Sequence, residues 1–130
     1  MQTFLPYPEF GKTAKVLDYR RLGKQRVEAR QILGAISKVG GWSSHPAVRM
    51  WRGYEAALIF YSNVMIQEWV LRGNRNTMEI LEHGIVKLPS WVGDSAFHAS
   101  HRSNLLRKDP SWYGKFGWSE SPDIPYVWPV

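Results

Sequence analysis

The chain has 130 residues, of which 44% are hydrophobic and 14% aromatic, and its 17 Lys and Arg against 11 Asp and Glu give a net charge of +6. This length predicts one domain spanning residues 1–130, and the apolar content excludes a disordered chain. The absence of cysteine excludes disulfides, thiol nucleophiles and thiolate metal sites. The positive charge favours a polyanionic partner, nucleic acid before an anionic membrane surface, although a protein that is merely basic has the same composition.

The N-terminal part of the chain predicts an extended lead followed by a long helix. Two prolines disfavour helix over residues 2–8. From Lys12 to Lys38 apolar residues recur at helical spacing, and Gly23 weakens the middle of this helix by about 1 kcal/mol relative to Ala, which makes it a candidate point for a break. The glycine pair at residues 40–41 is expected to end the segment.

The remainder of the chain predicts further helices and an aromatic tail. Residues 43–46 carry a helix-start signal, and apolar side chains then recur every three or four residues up to Leu71. A short helix is expected over residues 77–84, and a last helix over residues 94–107. No segment shows the alternation of a strand or approaches a membrane span of roughly 18 apolar residues. We therefore predict a compact all-α domain of about three main helices with a long, irregular, aromatic C-terminal tail.

The first predicted helix holds a charge as large as that of the whole chain. Between Lys12 and Lys38 there are eight basic residues, opposed only by Asp18 and Glu28. A local field of one sign is better placed than scattered charge to neutralise phosphates, which favours nucleic-acid contact. The alternative is a solvated helix face, as most charge runs are.

Glu28 lies inside that field and is the candidate catalytic carboxylate. Helical spacing places Arg21, Lys24, Gln25 and Gln31 on its side of the helix. A carboxylate there could abstract a proton, orient a water molecule or stabilise a sugar cation. The alternative is an ordinary Lys24–Glu28 pair on the helix surface, worth a few tenths of a kcal/mol.

The histidines and the tail supply weaker candidates. His98 and His101 could share a helix face, but a third metal ligand at fixed spacing is missing. We therefore expect no metal site here, and either phosphate contact or a hydrogen-bonded role in the core for each histidine. In the tail, Trp112, Tyr113 and Lys115 interleave rings with a cation. Such rings either stack on unpaired bases or complete the core, and the sequence leaves both uses open.

Three stretches resemble a known family, the endonuclease V-type pyrimidine-dimer DNA glycosylases. The lead of residues 1–8 is similar to the N-terminal segment of the bacterial relatives. Residues 17–28 are similar to the family's first helix without a gap, and they align Glu28 with the family's catalytic glutamate. Residues 41–46 and 112–116 resemble later family segments.

The resemblance implies a compact three-helix fold and excision of a damaged or modified base from duplex DNA. In this family an N-terminal α-amine attacks the sugar C1′ and forms a Schiff base, the glutamate assists, and strand cleavage follows by elimination. An α-amine suits this chemistry because, unlike a lysine amine, part of it is neutral at physiological pH. Transferred to this chain, the resemblance makes Glu28 the catalytic carboxylate and the amine of Met1 the nucleophile.

The chain also departs from the family pattern. Residue 2 is Gln, whose size favours retention of Met1, where the best-known members expose a small residue. Val27 and Gln31 stand where the family enzyme uses arginines. Two alternatives therefore stay open: a non-catalytic DNA-binding module on the same scaffold, and an enzyme acting on another nucleic-acid or nucleotide substrate.

The leading prediction is a DNA N-glycosylase, with or without lyase activity at abasic sites, that acts on a damaged or modified pyrimidine in duplex DNA. We expect a monomer that uses no cofactor. We also expect a cytoplasmic location, because a chain without cysteine fits a reducing compartment. Contacts to DNA are expected from Arg21, Lys24, Gln25, Arg26, Arg30, Gln31, His45, Arg49, Trp112, Tyr113 and Lys115.

Overall fold

Helices and the loops between them make up the whole structure, a computed structural model that describes residues 1–130. In chain order the helices are α1 (Phe10–Val16), α2 (Tyr19–Ile36), a 3₁₀ helix (Gly41–Ser44), α3 (Pro46–Arg49), α4 (Glu55–Leu71), α5 (Ser95–Lys108), α6 (Pro110–Tyr113) and a second 3₁₀ helix (Gly114–Phe116). They hold 55% of the residues, and there is no β-strand. The all-α prediction is confirmed, with α2, α4 and α5 as the three long helices. No helix combines the length and the apolar character needed to cross a membrane.

The first predicted helix is two helices, and the break lies at Leu17 and Asp18 rather than at Gly23. Tyr113 holds the break, because its hydroxyl accepts from the Asp18 N–H at 3.1 Å and donates to the Asp18 carboxylate. Gly23 lies inside α2, where an added Cβ would come within 2.9 Å of the Trp69 ring. This glycine therefore permits close packing of α2 on α4 and does not end a helix.

The second predicted helix is also divided, into α3 and α4. The turn between them contains Gly53 at φ 88°, in the left-handed region that glycine adopts without steric penalty. The helix start predicted at residues 43–46 is confirmed for α3, where His45 Nδ1 accepts from the Ala47 N–H at 3.0 Å. The long apolar pattern thus covers two helices whose boundary is a glycine turn.

The short helix predicted over residues 77–84 is wrong, since this stretch has no regular structure. The Asn63 side chain on α4 donates to Leu81 O at 2.7 Å and accepts from the Leu81 N–H at 3.1 Å. These bonds engage backbone groups that a helix would pair internally. The last predicted helix, over residues 94–107, is confirmed as α5.

One core of 22 buried hydrophobic residues joins these elements. Within it α2 packs most extensively against α4, and Trp51, Tyr61 and Phe97 are among the largest fully buried side chains. The tail contributes as well, because Tyr113 is fully buried and stacks on Trp118 with 5.6 Å between ring centroids. The sequence leaves open whether the rings of the tail stack on bases or complete the core. These two rings pack in the core.

The N-terminal segment, residues 2–6, is buried without a strand partner. Side chains bind its backbone instead, and His101 Nδ1 accepts from the Leu5 N–H at 2.9 Å. His98 Nε2 accepts from the Gly93 N–H at 2.9 Å, so its Nδ1 carries the proton and donates to Leu5 O at 2.8 Å. The two histidines thereby hold both polar groups of one peptide residue and fix the start of the chain among the helices.

Candidate active site

The carboxylate of Glu28 lies where α2 meets the N-terminal segment. Its Oε2 accepts from the Gln2 backbone N–H and from Gln25 Nε2, both at 3.3 Å. No ion pair joins Lys24 to Glu28, so the ordinary helix-surface pair is not the role of this carboxylate. The half-buried side chain instead borders open space on the protein surface.

Three cavities adjoin this carboxylate, and Met1 lines two of them together with Glu28. These two are called the larger and the smaller cavity. The larger, about 800 Å³, extends to the 3₁₀ helix at Gly41–Ser44 and includes Gln31 and Lys38. The smaller, about 410 Å³, is lined by basic side chains and by two aromatic residues of the tail. A proton acceptor and the start of the chain therefore face the same accessible space.

The smaller cavity concentrates positive charge. Arg20, Arg21 and Lys24 reach it from α2, and Lys108 reaches it from the end of α5. Arg21 also pairs with Asp18 at 3.2 Å. Burial opposes ionisation of Asp18, but hydrogen bonds from a tyrosine hydroxyl and from Arg21 outweigh it and lower the pKa of this carboxyl. The cluster matches the charge of nucleic-acid phosphates.

Two other cations of α2 are engaged by protein groups. The Arg26 guanidinium lies 4.3 Å from the Trp69 ring centroid and donates to Asn76 at 2.6 Å. Arg30 lines the larger cavity, yet its Nε donates to Ser62 at 3.0 Å. The positive field predicted for this helix is thus divided, with Arg21 and Lys24 beside Glu28 and Arg26 turned toward α4.

Aromatic rings border both cavities. Trp42 is 63% exposed in the larger one, with 5.9 Å between its ring centroid and that of His45. The His45 ring makes an edge contact, also at 5.9 Å, with Trp128 of the smaller cavity. Burial, and then the positive charge of the Met1 ammonium, lower the pKa of His45, so its imidazole is neutral at pH 7. The start of the chain therefore lies near a row of rings as well as near a carboxylate.

Comparison with known proteins assigns the chain to a protein family. The model of a family described as pyrimidine dimer DNA glycosylase matches residues 1–82, well over half of the 130 residues. The chain belongs to this family. No curated protein and no solved structure matches it significantly. The resemblance found in the sequence is confirmed, and at the level of the family the activity is that of a pyrimidine dimer DNA glycosylase, whose substrate is DNA.

The region matched by the glycosylase family holds only part of the site. Residues 1–82 contain Glu28 and Trp42, whereas Lys108 and Trp128 lie beyond this region. Tertiary packing brings both parts to the smaller cavity, where Lys108 and Trp128 join Glu28. The tail of this family member thus helps to shape the site.

Two predicted DNA contacts are buried in this glycosylase-family fold. Gln25 is 1% exposed, and its amide is bonded within the protein. Tyr113 is fully buried, with its hydroxyl on Asp18. Neither side chain has surface to offer DNA, so each has an internal role instead. Helical spacing places Gln25 and Glu28 on the same face of α2. It cannot predict that the N-terminal segment covers Gln25.

The remaining predicted contacts lie at or near the surface. Gln31 is exposed in the larger cavity. Arg49 is exposed in a neighbouring depression that shares Lys38 with that cavity. Trp112 and Lys115 line neither cavity; the Lys115 ammonium lies 3.4 Å from the Trp112 ring centroid, and the indole N–H donates to a carbonyl of α1 at 2.8 Å.

The two buried histidines serve the core. Burial lowers the pKa of His98, and burial followed by the charge of His98 lowers the pKa of His101 to about 3. Both are neutral at pH 7 and bind the backbone of Leu5. Of the uses left open for them, a hydrogen-bonded core role is the one observed.

Three residues of the site carry little signal in the sequence. The contribution of Gln2 is a backbone N–H, which no side-chain pattern reveals. Lys108 joins the cavity only because the end of α5 approaches α2. Trp42 has the clearest signal, a large ring directly after two glycines and before two serines, none of which is an apolar neighbour of any size.

Proposed function

We propose that this protein removes a damaged or modified pyrimidine from duplex DNA by attack of its N-terminal α-amine on the sugar, assisted by Glu28. One observation carries the proposal: Glu28 Oε2 accepts from the Gln2 N–H at 3.3 Å, which places a carboxylate at the start of the chain and beside two cavities. Membership of the pyrimidine dimer DNA glycosylase family supports it independently.

The chemistry follows from these two groups. The neutral amine attacks C1′ of the deoxyribose, the bond between C1′ and the base breaks, and the base leaves with the electron pair and takes up a proton. Glu28 accepts the proton that the amine loses and stabilises the cationic sugar. The sugar ring then opens as the C1′–O4′ bond breaks and O4′ takes the proton back from Glu28, which gives a protonated Schiff base at C1′. Loss of a proton from C2′ then expels the 3′ phosphate, and water hydrolyses the Schiff base.

The reacting amine is that of Met1 in a chain that keeps this residue. One residue spans at most about 3.6 Å, so the Met1 nitrogen lies within reach of the carboxylate that binds the Gln2 N–H. Met1 lines both cavities, and its ammonium is near enough to His45 to influence that imidazole. The nitrogen of Gln2 takes this part only where Met1 has been removed.

The surfaces around the two cavities are proposed to hold the DNA. Lys24, Arg21 and Lys108 would bind phosphates beside the smaller cavity, and Gln31, Arg30, His45 and Arg49 would contact the strand along the larger one. The exposed ring of Trp42 would stack on an unpaired base, a contact worth roughly 1–3 kcal/mol. Extruding a base costs a few kcal/mol and less when it is damaged, so one such contact offsets much of that cost.

The test compares three duplexes of one sequence, carrying a thymine dimer, an abasic site or no lesion. We expect scission of a glycosidic bond and strand cleavage at the dimer, strand cleavage at the abasic site, and neither on the undamaged duplex. The detached thymine stays joined to its neighbour through the cyclobutane ring of the dimer, so the readout is the broken glycosidic bond and not free base. Equal binding of all three without cleavage would make the protein a DNA-binding module on this scaffold. Weak duplex binding with turnover of RNA or free modified nucleotides would assign it to another substrate.

A further inference from the structure

Gln25 makes more hydrogen bonds around the candidate site than any other side chain there. Its Oε1 accepts from the Phe4 N–H at 3.0 Å and lies 2.7 Å from the Tyr61 hydroxyl. Its Nε2 donates to Gln2 O at 3.1 Å and to Glu28 Oε2 at 3.3 Å. The hydroxyl also lies 2.7 Å from Phe4 O, and its single proton serves these two acceptors. Both donors and one acceptor site of the buried Gln25 amide are thus paired, and its second acceptor site faces the shared Tyr61 proton.

The partners fix which way the amide points. On the Nε2 side lie two acceptors, a carbonyl and a carboxylate, and on the Oε1 side lies the N–H of Phe4. A flipped amide would place its oxygen against both acceptors and its nitrogen against an N–H, leaving buried polar groups unpaired. Gln25 therefore presents a donor to Glu28.

The same amide joins the chain start to the carboxylate. It binds Gln2 O and the Phe4 N–H, the two groups that flank Thr3, as a neighbouring strand would. Both hydrogen bonds to the Glu28 carboxylate, from Gln25 and from the Gln2 N–H, reach Oε2, and Oε1 receives none. The N-terminal segment and the carboxylate are thus held relative to each other by one side chain.

We propose that Gln25 is the positioning residue of this site: it anchors Glu28 through Oε2, leaves Oε1 as the oxygen that meets the substrate, and sets the distance between the carboxylate and the N-terminal amine. This inference rests on the proposed function, because it assigns the geometry of that reaction. A displacement of about 1 Å between reacting groups costs on the order of 10²-fold in rate, so the loss of this link is expected to slow chemistry and to leave DNA binding in place.

The experiment compares Gln25→Glu, Gln25→Leu and the control Tyr61→Phe. Leucine removes every hydrogen bond of the amide, whereas a glutamate keeps the acceptor for the Phe4 N–H and donates to Glu28 only when protonated. Tyr61→Phe removes the hydroxyl that faces Gln25 Oε1 and Phe4 O, and it leaves both donors of Gln25 in place. Thermal unfolding of each variant separates a loss of stability from a loss of positioning.

The readouts are the single-turnover excision rate across pH 5–8 and the Kd for the dimer duplex. We expect both Gln25 variants to be slowed about 10²-fold at pH 7 with Kd within about threefold of wild type. Gln25→Glu should regain rate relative to wild type as the pH falls, because two adjacent carboxyls then share a proton, and Gln25→Leu should not. The other groups that face the site, the α-amine, His45, Arg21 and Lys24, are the same in every variant, so dividing each rate by the wild-type rate cancels their shared contribution. Burial raises the pKa of Tyr61, which is therefore neutral over this range.

The proposal is overturned if folded Gln25 variants keep the wild-type rate and pH profile. It is also overturned if the loss of rate in all three variants, Tyr61→Phe included, follows one common relation to their loss of stability. A wild-type protein that cleaves no lesion contradicts the proposed function instead. A readout independent of turnover then decides the role of Gln25: its side-chain amide protons should be protected from exchange in NMR spectra and should shift in Glu28→Gln. Fast-exchanging amide protons that do not respond to Glu28→Gln would overturn the link.

Discussion

At the scale of single residues, the two oxygens of the Glu28 carboxylate have different surroundings. Oε2 is bound by the N–H groups of Gln2 and Gln25, and the side chain borders both cavities. A glutamine at this position keeps an oxygen for those donors but loses the negative charge and the ability to accept a proton. The fold and the DNA-binding surface should survive this change, whereas the chemistry should not.

We therefore predict that Glu28→Gln lowers the single-turnover excision rate by about 10²- to 10⁴-fold, the usual range for a positioned acid or base, with little change in DNA affinity. Quench-flow or gel assays give the rate, and fluorescence anisotropy gives the Kd. The matched control is Glu82→Gln, an exposed carboxylate that lines neither cavity. Unchanged excision by Glu28→Gln would remove this residue from the mechanism.

Lys24 and Arg26 offer a second comparison, because they stand two positions apart but differ in surroundings. Lys24 is exposed beside Glu28 and has no ion pair, whereas Arg26 stacks on Trp69 and donates to Asn76. We predict that Lys24→Ala reduces the slope of log K against log salt concentration by about 0.9, as expected for one lost phosphate contact. Arg26→Ala should lower stability and leave the slope unchanged. Equal effects of the two substitutions on the slope would show that both bind phosphate.

At the scale of elements, the packing of α2 on α4 depends on Gly23. A Cβ at this position would lie 2.9 Å from the ring of Trp69, which is itself buried. Alanine would gain up to about 1 kcal/mol in helix propensity, but overpacking against a buried ring costs typically 1–3 kcal/mol. We predict that Gly23→Ala lowers the free energy of unfolding, measured by urea denaturation.

Gly34 provides the control for that measurement, since it lies in the same helix and an added Cβ would meet nothing within 4 Å. Gly34→Ala should be neutral or stabilising through propensity alone. A stabilised Gly23→Ala would mean that Trp69 can move aside and that this close approach does not constrain the helix pair.

The long helices could be predicted from the sequence, and their breaks could not. Periodic apolar residues define α4 and α5 because each presents a face to one core. The break at Asp18 depends on Tyr113, and the irregular backbone near Leu81 depends on Asn63. These partners are far away along the chain, so that local propensity carries no information about them.

The candidate site shows the same division. Glu28 could be predicted as a candidate because a lone acid among the cations of an early helix is unusual. The internal role of Gln25 could not, because its neighbours come from the N-terminal segment and from α4. Lys108 and Trp128 reach the site only through the packing of α5 and the tail.

At the scale of the whole molecule, stability is expected to depend on two buried histidines. The pKa of His98 is lowered and that of His101 falls to about 3, so the unfolded chain binds more protons than the folded one between about pH 3 and the ordinary value of 6.5. The free energy of unfolding should therefore fall as the pH drops from 7 to 5. Chemical denaturation at each pH measures it.

His101→Asn is the matched variant for this pH dependence. The asparagine oxygen can still accept from the Leu5 N–H, as His101 Nδ1 does, but it does not titrate. We predict a lower stability than wild type at pH 7 and a shallower decline toward pH 5. Equal slopes in the two proteins would show that His101 does not limit the acid stability of the fold.

The central claim is that the start of the chain and Glu28 form one reactive centre, and mapping a trapped adduct tests it most directly. The protein is incubated with the dimer duplex in borohydride, digested, and analysed by mass spectrometry. We predict a reduced DNA adduct on the α-amine of the N-terminal peptide, on Met1 where that residue is retained. An adduct on a lysine such as Lys24, or cleavage of the dimer duplex with no adduct at all, would contradict it.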